Sequence, residues 1–219
     1  MPSSDGWNFS FSKRQQNLYS GIDTEVMSAL DPKTLPDITG TWILNRKYST
    51  DPEEVFALQG VPWIVRKALK HARLSLQLWQ TTSNESSGGE TDSSTSSESV
   101  TRLRLKQVVS PGNFDSEGAY PLDGSLQELS LPIFGDLTMR LQYINTSEIL
   151  EDTIREKLVK SSVNKEVIQE LAKNSLKGWD AEVIWGFEEI DGNQYLTRNI
   201  STTKGNDKVI ARMVYHSEI

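Results

Sequence analysis

The sequence predicts a single antiparallel up-and-down β-barrel with a few short helices at its margins, and three observations predict it. Segments in which apolar and polar residues alternate recur in both halves of the chain, Gly, Asn and Asp turns separate them, and no repeated strand–helix unit points to a parallel sheet. With 219 residues the chain has room for one such domain.

Residues 1 to 34 lack sustained periodicity and are expected to form an N-terminal arm, partly disordered, with a helical turn or two at Glu25 to Leu30 before Asp31-Pro32 stops it. The barrel domain is placed at residues 35 to 219. Its first strand is Leu35 to Leu44, reached through the Pro36-Asp37 turn. Asp51-Pro52-Glu53-Glu54 then reads as a helix start, because Asp51 can cap the free amides, Pro52 suits the first helical position and both glutamates favour the positive end of the dipole. Gly60-Val61-Pro62 interrupts that helix, and a second one runs from Trp63 to Ala72. In it Trp63, Ile64, Ala68, Leu69 and Ala72 gather broadly on one side and Arg66, Lys67, Lys70 and Arg73 on another. It is read as a helix covering one end of the barrel, with a basic membrane-surface or lid helix as the alternative.

Leu74, Leu76 and Leu78 alternate with polar residues in a strand over residues 73 to 81. From Thr82 to Ser99 almost every residue is Ser, Thr, Gly, Asn, Asp or Glu, too little apolar area to offset the entropy of ordering, so residues 82 to 99 are expected to be a disordered loop inserted in a hairpin. The return strand at 101 to 108 sets Leu103 and Leu105 against Arg102, Arg104 and Lys106, a basic face taken as solvent-exposed. Residues 110 to 132 suggest short strands or bulges, and Leu137, Met139, Leu141 and Tyr143 mark a clean strand. Residues 147 to 160 suit a helix capped by Ser147, with Ile149, Leu150, Ile154 and Leu158 on one side, and 163 to 176 lies closer to helix than to strand. The chain closes on a three-strand meander: Ala181 to Glu188, a turn at Asp191-Gly192-Asn193, Gln194 to Thr202, a turn at Lys204 to Asp207, and Lys208 to His216.

A net charge of −7 argues against nucleic acid as a partner, since phosphate binding needs a dominant basic surface. The chain has no cysteine, which excludes a disulfide framework, a thiolate metal site and a cysteine nucleophile. The first 20 residues lack the apolar core of a signal peptide, and no run is long enough for stable membrane insertion; both point to a cytoplasmic protein. The arm before residue 35 could cross to a neighbouring subunit, giving a homodimer, or cover its own barrel mouth.

The Gly40-Thr41-Trp42 lead into the first strand is similar to the Gly-x-Trp signature of lipocalins, in which the Trp plugs one end of the barrel. Together with Leu35 to Trp42, the segments Ala57-Leu58-Gln59-Gly60-Val61-Pro62-Trp63, Gly178 to Glu188 and Arg212-Met213-Val214-Tyr215 resemble a family of small fungal lipocalin-like proteins, some encoded beside secondary-metabolite pathways. The resemblance covers most of residues 35 to 216 and departs from the pattern at 110 to 130 and 145 to 176. Some lipocalin-like proteins of such pathways are cofactor-free cyclases, Diels-Alderases among them, and the resemblance implies that activity here.

The residues fit those limits without naming a reaction. There is no Gly-x-Ser-x-Gly, the only histidines are His71 and His216, and neither a dinucleotide turn nor a phosphate loop is present, so the expectation is no cofactor and no metal. A pericyclic cyclisation needs chiefly a shaped apolar cavity, since orientation can supply roughly 7 to 11 kcal/mol, and a donor toward a substrate carbonyl helps further. The catalytic candidates are Tyr143, Arg198 and Tyr215, and the substrate-binding candidates are Trp42, Trp185, Phe187 and Met213, with Trp185 a further donor. The plainer reading makes the aromatics and Met213 ordinary core and an inward Arg a structural partner of the Trp. Three functions stay open: a cofactor-independent cyclase or isomerase acting on an apolar polyketide or terpenoid, a carrier that binds a small apolar metabolite unchanged, and a partner-binding protein with a vestigial cavity.

Overall fold

The structure is a computed structural model that describes residues 37–84, 99–112 and 114–218. Ten strands form one antiparallel sheet: β1 (Gly40–Leu44), β2 (Arg73–Asn84), β3 (Ser99–Ser110), β4 (Ser116–Pro121), β5 (Gln127–Leu131), β6 (Gly135–Asn145), β7 (Glu166–Asn174), β8 (Trp179–Ile190), β9 (Asn193–Lys204) and β10 (Asp207–Ser217). Strands adjacent in sequence are adjacent in space, except that β1 also pairs with β10 and β4 does not pair with β5. At that seam the linker after β4 closes the ring: Leu122 N–H donates to Thr101 O (2.8 Å), Gly124 N–H donates to Leu141 O (2.8 Å), and Asp123 bridges to Gln142. The result is the nearly closed antiparallel barrel that the alternating pattern predicted, of the lipocalin-like kind that the resemblance implied.

The expected polar insertion is shorter than the composition suggested. Strands β2 and β3 pair from Arg73↔Ser110 out to Asn84↔Ser99, so residues 82 to 84 and 99 belong to the ladder. Thr82 and Thr101 face each other there with hydroxyls 3.0 Å apart, a cross-strand pair of β-branched residues that tolerates solvent. Residues 85 to 98 and the expected arm at 1 to 34 lie outside the described residues.

Two expectations between β6 and β8 are corrected. The segment read as closer to helix is strand β7, buried on both faces: Val167, Ile168 and Gln169 are all buried in succession. Apolar residues at 167, 168, 171 and 172 happen to have helical spacing, and a strand covered on both sides has no polar alternation to contradict it. The preceding helix starts later than Ser147 suggested. Asn145 caps a 3₁₀ turn at Thr146–Glu148, its Oδ1 accepting from Ser147 N–H (3.1 Å) while Glu148 accepts from Asn145 N–H (2.7 Å). The Glu182 carboxylate then accepts from Leu150 and Glu151 N–H (2.9 and 2.8 Å), and α3 begins only at Asp152, running to Ser161. Leu150, assigned to the apolar side, is 65% exposed, while Ile154 and Leu158 are buried.

Helix α3 lies over the outer face of β8, which explains why β8 is buried on both sides. Ala181, Val183, Trp185 and Phe187 point into the barrel. Glu182, Ile184 and Glu188 point outward and are buried all the same. Glu188 is satisfied there by Arg212 (2.8 Å), Lys157 (3.3 Å), Asn199 Nδ2 (3.1 Å) and Ser161 Oγ (3.2 Å), as a buried carboxylate must be. Burial alone would raise its pKa, but Lys157, Asn199 and Arg212 outweigh it and hold the carboxyl below its ordinary value.

Helices α1 (Glu53–Leu58) and α2 (Trp63–His71) sit at one end of the barrel. Asp51 Oδ1 accepts from Glu53 N–H (3.1 Å), as its sequence position predicted, but Pro52 stands at the N-cap and not at the first helical position, so α1 begins one residue later than expected. Helix α2 buries none of its residues. Polar ties hold it: Arg66 pairs with Glu53 (3.0 Å), Lys70 with Asp51 (2.9 Å), and Arg46 donates to the carbonyls of Leu69 and Ala72 at its C-terminus. It therefore borders the barrel mouth and does not plug it with an apolar face.

Candidate functional site

The two ends of the barrel differ. At the closed end Trp42, 3% exposed, packs its ring 5.7 Å from that of Phe187 and donates Nε1–H to Ile38 O (3.0 Å). Gly40, two residues before Trp42, has φ of 149°, a conformation that suits glycine. Gln80 completes the plug, accepting from Ile38 N–H and donating to the Tyr143 hydroxyl (2.7 Å). Burial pushes Tyr143 up to about 12, so the phenol stays neutral at any physiological pH.

From the other end a cavity of about 150 Å³ runs into the barrel. Its wall is mostly apolar, and α1, Leu69 and the turn at 131 to 134 frame its mouth. Deep in the wall stands one charged pair. Glu170 on β7 and Arg198 on β9 project inward on either side of Trp185 on β8, because Trp185 pairs directly with Arg198 and diagonally with Glu170. The Arg198 guanidinium lies 4.1 Å from the Trp185 ring centroid and 3.5 Å from Glu170 Oε2, and Trp185 Nε1–H donates to the same oxygen (2.9 Å). The pair is 14% and 13% exposed.

Stacking and ion pairing fix the guanidinium plane, but its Nε–H is buried with no acceptor among the described residues. The same holds for Nε1 of Trp179, another cavity residue. A buried donor left unpaired costs about 1–3 kcal/mol, and two such donors in one cavity wall are a structural reason to look for an acceptor in a ligand. Tyr120 also lines the cavity, its pKa raised by burial and then by the Glu170 charge. Its hydroxyl sits over Gly118, where a Cβ would come within 2.1 Å of it, so the absent side chain is what lets the phenol lie flat against the wall.

Of the candidates named from sequence, Arg198, Trp185 and Met213 line the cavity. Tyr143, Trp42, Phe187 and Tyr215 do not: the first three build the closed end, and Tyr215, fully buried, donates to the Met213 sulfur (3.6 Å) behind the wall. Burial raises the Tyr215 pKa while the Arg198 charge beside it pulls the other way, so Tyr215 supports Arg198 from behind. A one-residue change in strand register decides such faces, and alternation gives the inward side without telling how deep along the barrel each residue lies.

Two curated proteins are similar to this chain over most of its length. The probable pericyclase scpY of Mollisia scopiformis is 29% identical over 185 residues, which cover 83% of this chain and 90% of that protein. The pericyclase pydY of an Acremonium species is 25% identical over 185 residues, 84% and 92% of the two chains. No known family profile matches this chain. Among solved structures the fluorescent protein UnaG superposes with a TM-score of 0.50 at 14% identity, covering 83% of this chain and 97% of its own, a likeness of fold.

Sequence reasoning missed Glu170, Tyr120 and Trp179. For Glu170 the signal was present but read with the wrong period: Ile168, Glu170 and Ala172 form the inner face of β7, opposite Trp185, Val183 and Ala181. Trp179 stood in the Gly178-Trp179-Asp180 segment that carried the family resemblance, where only its buried, unpartnered nitrogen sets it apart from core.

Proposed function

We propose that this protein is a cofactor-independent pericyclase of Diels-Alderase type, acting in fungal secondary metabolism on an apolar polyketide or terpenoid intermediate. One observation carries the reading beyond relationship: the mostly apolar cavity contains a rigid, partly unsatisfied cation, Arg198, held in plane by Trp185 and Glu170. In a [4+2] cyclisation three π bonds become two σ bonds and one new π bond, with no proton moved and no group lost. The wall's task is to hold diene and dienophile in the reactive conformer, worth roughly 7–11 kcal/mol in favourable cases. Arg198 would donate to a carbonyl conjugated with the dienophile, lowering its empty orbital and stabilising charge that grows in the transition state, an effect of about 3–4 kcal/mol for a well-placed donor. Trp179 offers a second donor nearer the mouth, and Met213 and Trp185 shape the space around the reacting carbons. Glu170 is a positioning residue in this scheme. A cytoplasmic setting belongs to the same proposal, and a chain with no cysteine suits it.

The test is disruption of the gene in the producing fungus, mass spectrometry of the extract, and incubation of the accumulated compound with purified protein. The expected result is conversion to an isomer of unchanged mass faster than in buffer, slowed in Arg198→Met by roughly a hundredfold or more. Tight binding with no conversion would make the protein a carrier, and an unaltered extract would remove both readings.

A further inference from the structure

Helix α2 is the feature that cyclisation leaves unexplained. It is an amphipathic helix with no buried residue, and it turns its largest apolar side chains outward: Trp63 is 61% exposed and Ile64 67%. Two large side chains on the first turn of a helix would ordinarily be its most buried ones. The turn between β7 and β8 adds a third, Leu176, at 87% exposure. The two segments are neighbours, because the Lys177 side chain packs within 3.4 Å of where a Cβ of Gly60 would stand, in the link between α1 and α2. Both border the mouth: Arg66, Leu69 and Lys70 of α2 line it, and Asn174, at the start of the turn, donates to the carbonyl of the mouth residue Phe134 (3.0 Å).

The charges around these residues have one sign left over. Asp51 and Glu53, the carboxylates of the mouth, are spent on Lys70 and Arg66. Lys67 and Lys177 have no carboxylate partner among the described residues; Lys67 lies 6.0 Å from the Trp63 ring centroid. Glu54 is on the side of α1 that faces Asp207 and Lys208, away from this rim. Exposed Trp, Ile and Leu interleaved with unpaired lysines are the composition of an interfacial element, in a chain whose net charge is −7.

We infer that the mouth rim, made of α2 and the β7–β8 turn, docks on the surface of an anionic phospholipid bilayer, with Trp63, Ile64 and Leu176 entering the headgroup boundary and Lys67 and Lys177 meeting lipid phosphates. Docking there faces the cavity mouth toward the bilayer, so a water-insoluble ligand passes from lipid to protein without crossing water. This is surface binding: among the described residues no helix is long and apolar enough to cross a membrane. The inference does not depend on the cyclase reading, since a carrier would use the same surface.

The experiment is flotation of the full-length protein with vesicles of phosphatidylcholine alone or doped with phosphatidylglycerol. The expected result is recovery with the anionic vesicles only, diminished by salt. The variant Lys67→Glu/Lys177→Glu should lower the partition roughly tenfold or more, and Trp63→Ala/Ile64→Ser/Leu176→Ser should abolish it. Because the substituted side chains lie on the surface, both variants should keep the parent melting temperature and cavity binding of a fluorescent apolar probe, which separates lost docking from lost fold. Absence of the protein from anionic vesicles, undiminished flotation of the variants, or sizing chromatography showing that these side chains are buried in a dimer would each overturn the inference.

Discussion

Replacing Arg198 with Met tests the electrostatic core of the site without knowledge of a substrate. The guanidinium and the Glu170 carboxylate approach to 3.5 Å with both side chains about nine-tenths buried. At an effective dielectric of about 20 that separation corresponds to roughly 5 kcal/mol of attraction, part of which only offsets desolvation. Met keeps much of the aliphatic bulk against Trp185 but leaves Glu170 with a single donor, Trp185 Nε1–H. Removing one partner of a buried pair costs about 3–5 kcal/mol, and for a domain of this size that lowers the melting temperature by roughly 6–20 °C. Urea unfolding followed by tryptophan fluorescence would give the free-energy change. The double variant Arg198→Met/Glu170→Gln should recover about half of the loss, because the stranded charge is gone. An Arg198→Met protein within about 1 kcal/mol of the parent, or a double variant in which the two penalties simply add, would refute the coupling.

Three further outcomes are expected. Ala181→Trp places an indole in a cavity with about 150 Å³ of open space and should abolish binding of a fluorescent apolar probe while the far-ultraviolet circular dichroism stays that of a β-barrel. Tyr143→Phe removes the acceptor of the Gln80 amide at the closed end, so it should cost about 1 kcal/mol of stability and leave probe binding unchanged; a weakened probe would put Tyr143 in the binding site after all. Glu188 has a folded-state pKa below its ordinary 4.5, so it stabilises the fold above about pH 4.5 and that contribution fades as pH falls through and below that value. Accordingly Glu188→Gln should be clearly destabilised at pH 7, with the gap to the parent narrowing in acid titrations of the melting temperature; a constant gap from pH 7 to pH 3 would contradict the assignment.

What the sequence determined by itself was the set of local patterns. Alternation in β2, β3, β6 and the terminal meander, the Asp191-Gly192 turn and the Asp51-Pro52 helix start act within a few residues, so they are written in a few residues. The direction in which Arg198, Trp185 and Met213 project also follows from alternation. Tertiary structure decided the rest. Helix α3 covers β8 from outside, and β7 is buried on both faces, which left β7 without a clear polar half and made it look helical. The helix also turned Glu182 and Glu188 from surface residues into buried, fully partnered ones. The Glu170–Trp185–Arg198 unit is likewise beyond any local reading. Its members come from three strands, and they meet only because strand register aligns residues 15 and 13 positions apart in the chain. Depth along the barrel, which separated Arg198 in the cavity from Tyr143 and Trp42 at the plug, is set by the tilt and pairing of all ten strands together, a property of the closed sheet that no single segment encodes.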